Sequence, residues 1–149
     1  MAKARVKRKG SGFAGSVLQS LLRIVFVINA LLALLQVITS LRQWQPYLEL
    51  GFSSVLLIYL LVSSLVKLVL HSLAFFHLQK GQSRGLWSAW LAIIFALVSY
   101  WAEYFFLWHP DQRADPPWFT LVVHLLLVAI LIVYRLSLLR KEASDGSGN

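Results

Sequence analysis

Glu103, His124, Gln36, Lys67 and His71 are the residues here that could move a proton or hold a ligand. Each sits in an apolar run, where a polar side chain needs a partner or a wet cavity. Glu103 follows a stripe of small residues, Ser88, Ala92, Ala96 and Ser99, whose spacing lets another helix approach closely and turns the carboxylate toward a packed side. His124 shares a helical face with Thr120, at a depth similar to Glu103 and Gln36, so these three are expected to form one polar cluster. A Glu and a His in contact would shift each other's pKa and could relay protons. The plainer reading is a hydrogen-bonded pair that sets the register of two helices.

Lys67 and His71 share a second face with Ser63 or Ser64. A lysine at the centre of a bilayer costs about 2.5–3.5 kcal/mol on insertion scales. Lys67 is therefore expected to reach the cytoplasmic interface as a snorkelling anchor, or to form a cytoplasm-facing proton or anion site with His71. Depth arithmetic places Lys67 and Glu103 about 20 Å apart, so no pair between them is expected. In the first apolar run Asn29, Ala33, Gln36 and Ser40 share one face, and the two amides are expected to hydrogen-bond to neighbouring helices.

Several chemistries are excluded or unsupported. The chain has no cysteine, which removes disulfides, thiolate metal sites and cysteine nucleophiles. It has no HExxH-type spacing, glycine-rich phosphate loop, or Ser, His and acid combination, so neither metal binding nor enzyme activity is expected. Haem would need two axial histidines at one depth. His109 and His124 come nearest to that, but His109 stands at a helix end before Pro110, so no cofactor is expected. The net charge of +8 collects beside apolar runs rather than on a base-binding fold, so anionic lipid is the expected partner and nucleic acid is not.

The elements that position these residues follow from composition. Of 149 residues, 58% are hydrophobic and 13% charged, about half the charge of a soluble domain. The apolar residues fall into runs long enough to cross hydrocarbon, which takes roughly 20 residues per helix. The expected fold is an all-α, polytopic transmembrane bundle of four helices in one domain, with spans near 17–38, 51–78, 86–107 and 118–139. A basic tail, 1–12, precedes them, and a disordered tail, 141–149, follows. The second run would reach about 40 Å against a core of about 30 Å, so it is expected to tilt or to project into the cytoplasm beyond Lys67. Arg23, near the start of the first span, is expected to join Lys3, Arg5, Lys7, Arg8 and Lys9 at the lipid headgroups.

Ten Lys and Arg residues flank one side of these spans and two flank the other. This bias predicts both termini in the cytoplasm, with a bacterial inner membrane as the location. A small bundle with short loops and no cofactor motif is expected to be an accessory, assembly or regulatory subunit, contacting other membrane proteins or a second copy of itself. The alternative is a small proton-coupled transporter or channel, oligomeric, that uses Glu103, His124, Lys67 and His71.

Overall fold

No proline interrupts residues 10–42, and in the computed structural model they form one helix, α1 (Gly10–Arg42). The structure describes residues 10–80, 84–107 and 118–146. A short helix, α2 (Trp44–Glu49), follows at once. Pro46 stands in its first turn, where the missing N–H has no intrahelical acceptor to lose. Gly51, at φ +88°, then turns the chain in a left-handed conformation that glycine adopts without steric penalty. The Ser53 hydroxyl accepts from the Leu56 N–H (3.2 Å) and caps α3 (Ser54–Gln79).

After the turn come α4 (Arg84–Ala102) and, continuous with it, a π-helical segment (Glu103–Leu107). The last helix is α5 (Trp118–Gly146). Four of these helices are long and apolar enough to cross a membrane, and no strand occurs among the described residues. Their outward faces carry large apolar side chains along most of their length, including Ile28, Leu32, Ile58, Val69 and Leu91. A soluble monomer rarely shows so much contiguous apolar surface.

α3 is the central element, packed against both α1 and α4. On α1 Gln19, Leu22, Phe26, Asn29, Ala33, Gln36 and Ser40, and on α3 Leu57, Leu60, Ser64, Lys67, His71, Ala74 and Leu78, are all buried or half-buried. Both series advance by alternating steps of three and four residues, the spacing of a coiled-coil seam. Two contacts fix the antiparallel register: Gln19 donates to the Leu78 carbonyl, and the Phe26 and His71 rings lie 5.8 Å apart. Asn29 therefore falls opposite Lys67, and Gln36 opposite Leu60.

α4 repeats the 3–4 spacing with Gly85, Ala89, Ala92, Ala96, Ser99 and Glu103. Ala89 and Ala92 are fully buried, Ser88 and Ser99 nearly so, and Ala96 half-buried. At Gly85 a Cβ would stand 3.0 Å from the backbone of His77 and Leu78, so the two helices touch backbone to backbone there.

Three features depart from expectation. Residues 141–146 are helical rather than an irregular tail, because Lys141, Glu142 and Ala143 are good helix formers and no glycine or proline intervenes before Gly146. α3 does not outrun the bundle, since its last carbonyls are bonded by Gln19 and Arg23, well inside α1. The helical extension belongs to α1, whose 33 residues span about 50 Å, and to the end of α5.

Arg23, in turn, is no free headgroup anchor. Its Nη2 donates to the carbonyls of Leu78 (3.3 Å) and Gln79 (3.1 Å). Those carbonyls carry the negative end of the helix dipole, and the Leu78 oxygen accepts a cap backbone N–H besides, so a guanidinium is held there. Arg23→Met is expected to cost about 1 kcal/mol and to speed amide hydrogen exchange in the last turn of α3 more than elsewhere. Uniform exchange across α3 in that variant would show that the cap is inert.

α5 packs on α1 and α4 through its middle, where Leu131 and Tyr134 are buried and Leu127, Val128 and Leu138 lie against the core. A Cβ at Gly15 would meet the Ser137 hydroxyl at 3.6 Å, so the start of α1 and the end of α5 share one end of the bundle. In the first half of α5, Val122, Val123, Leu125 and Leu126 are exposed. Only 11% of the apolar stretch of α5 is buried, against 22–33% for the other three long helices, so α5 is the least covered of the four.

Candidate functional site

Lys67 stands at the midpoint of α3, far from either end. Its Nζ lies 2.9 Å from Oε1 of Glu103, and each side chain keeps 14% of its exposure. This ion pair contradicts the expected 20 Å separation. Depths counted from opposite ends accumulate the error of two span boundaries, whereas α3 and α4 share one turn and can both be measured from it. On that scale Lys67 is about 18 Å and Glu103 about 28 Å from the turn, an offset of about 10 Å. Side chains lean toward the N-terminus of their own helix, and α3 and α4 are antiparallel, so the two lean toward each other and close the gap. The pair also removes the need for Lys67 to snorkel.

The backbone at Glu103 is specialised. Here the helix widens from α to π geometry, a departure that re-aims side chains and is frequent at functional sites. Beside it Tyr100, Trp101, Tyr104 and Phe105 pack ring against ring, with centroids 5.3–6.2 Å apart.

Glu103 also borders a cavity of about 620 Å³ at the α2 end of the bundle. Gln36, Thr39 and Ser40 of α1 and Tyr47 of α2 supply its other polar groups, while Leu35, Phe52, Leu56, Leu57 and Leu60 supply its apolar walls. Gln36 and Glu103 are thus brought together as expected of the polar cluster, but His124 is not among the lining residues. It lies near the loosely packed start of α5, where its Nδ1–H donates to the Thr120 carbonyl (2.7 Å).

His71 is buried, and its Nδ1–H donates to the Lys67 carbonyl (2.6 Å), so it is tied to the turn that carries the lysine. Lys67 and His124 both lie within electrostatic range of it. Asn29 turns back to its own helix, donating to the Val25 carbonyl (2.9 Å) rather than to a neighbour. Ala33 and Ser40 are buried on the same face.

Among the described residues no group of three or more metal-ligating side chains occurs. His109, the loop around Asp111 and Asp115, and the basic residues Lys3, Arg5, Lys7, Arg8 and Lys9 lie outside the described residues. Three features carry weight that residue types alone do not signal: the Gln19 and Arg23 cap on α3, the close approach at Gly85, and α2 as one wall of the cavity. The 3–4 spacing marks Gln19 as a member of the α1 seam but leaves its partner open, because several registers satisfy it. Set beside protein-family models, curated proteins and solved structures, the chain matches none of them.

Proposed function

We propose that this protein is an accessory or assembly subunit of a larger complex in a bacterial inner membrane, holding its partner through helix packing. The observation that carries this reading is the start of α5, residues 118–126. Its apolar side chains are left uncovered by the bundle, while α1, α3 and α4 already pack around a common core. In lipid, apolar exposure alone gives no drive to associate, so a partner helix would be held by close packing and by the half-buried Thr120 and His124 on this stretch. The end shared by the start of α1 and the end of α5 faces the cytoplasm in this reading, in keeping with the ten-to-two bias of Lys and Arg. Anionic headgroups meet the basic flanks there.

A second reading, a small proton-coupled transporter, is favoured by one observation: the Lys67–Glu103 pair borders a cavity. One experiment separates the two. A photo-crosslinking residue at Leu126 is expected to capture a stoichiometric partner in native membranes, and one at Leu32 is expected to capture far less. Purified protein in liposomes is expected to carry no proton flux. A flux abolished by Glu103→Gln, with no partner captured at Leu126, would overturn the subunit reading in favour of transport.

A further inference from the structure

The cavity at the α2 end has the composition of a binding site. Its volume of about 620 Å³ falls within the usual range for small-molecule pockets, and its mostly apolar wall carries a few convergent polar groups. Leu35 and Phe52 line it and are also 58% and 39% exposed on the outer surface of the bundle. It therefore opens sideways onto the face that meets hydrocarbon, and an occupant can enter from the bilayer.

The charges present select the head of that occupant. Glu103 repels an anion. It is already paired through Oε1 with Lys67, so a cation placed against it would sit close to the ammonium as well. An uncharged head avoids both penalties. Gln36 offers a donor and an acceptor, Ser40 a hydroxyl and Glu103 an acceptor, a mixed set that suits a head which both gives and takes hydrogen bonds.

We propose that this cavity binds one uncharged, hydroxyl-headed, single-chain amphiphile, with its head at Gln36, Ser40 and Glu103 and its chain along Leu56 and Leu60 toward the opening at Leu35. The site lies apart from the exposed half of α5, so it stands whether or not a partner docks there.

The test is native mass spectrometry of the full-length protein in detergent with three probes of equal chain length: monooleoylglycerol, oleate and oleylamine. Monooleoylglycerol is expected to bind one per chain, saturably, and at least tenfold more tightly than either charged probe. Leu60→Trp, which fills the cavity, and Gln36→Leu, which removes a head contact without adding bulk, are each expected to weaken it at least tenfold. Oleate or oleylamine binding as tightly as monooleoylglycerol would overturn the proposal. So would monooleoylglycerol binding that survives both substitutions, or its failure to saturate at one per chain.

Discussion

Glu103→Gln is expected to lower the stability of the folded bundle by about 3 kcal/mol, and Lys67→Met by a similar amount. Lys67 lies at the midpoint of a helix suited to cross the membrane, and its ammonium is held by a single carboxylate oxygen at 2.9 Å. Neutralising the acid leaves the ammonium without a counter-charge, and the lysine must then deprotonate, drag water inward or loosen the α3–α4 contact. Losing both charges together removes that problem. The double variant Lys67→Met, Glu103→Gln is therefore expected to recover to within about 1 kcal/mol of the unmodified protein, since buried ion pairs exchanged for neutral groups are often close to neutral. Reversible unfolding in mixed micelles measures all four species of the cycle. Additive losses in the double variant would show that the two charges do not stabilise each other.

Gly85→Val is expected to be comparably damaging, at about 2–3 kcal/mol, with Gly85→Ala smaller but still destabilising. A Cβ there would lie 3.0 Å from the carbonyl carbon of His77 and from the Leu78 nitrogen. These are backbone atoms of α3 and cannot rotate aside, so α4 would have to move away. That movement would strain the hydrogen bond from the His77 Nδ1–H to the Ser88 hydroxyl, 3.1 Å long. Replacing glycine in a helix normally gains up to about 1 kcal/mol, so a net loss at Gly85→Ala would isolate the steric contribution. Gly15 provides the contrast, because its added methyl would meet the Ser137 hydroxyl at an ordinary 3.6 Å. Gly15→Ala is expected to be neutral or slightly stabilising by the same unfolding measurement. Equal responses at the two glycines would refute the close-approach argument.

The four long apolar helices are legible in the sequence because a run of twenty or more apolar residues has few other uses. Both ends of each run were harder to place, as Lys141, Glu142 and Ala143 illustrate: they are charged or small, yet they extend α5 on helix propensity alone. The Lys67–Glu103 pair was concealed for a geometric reason, since its two residues differ in depth by about two turns and meet only through the opposed lean of antiparallel side chains. The cluster of Gln36 and Glu103 was visible as similar depth on two helices. His124 looked equivalent, but depth says nothing of how tightly a helix is held. α5 is joined to the rest mainly by its middle, beyond His124, and that looseness at its start has no signature in its composition.

The matched 3–4 spacing on α1 and α3 has one more consequence. Two apolar helices in hydrocarbon have little to tell them how far to slide along each other, since the surrounding tails are as apolar as leucine. Between these two, a slip of one heptad would leave the spacing satisfied. It would also pull Arg23 off the carbonyls of Leu78 and Gln79 and Gln19 off its own acceptor, leaving these polar groups without those partners. The few polar residues thus act as vernier marks, selecting one alignment among several that shape alone would accept.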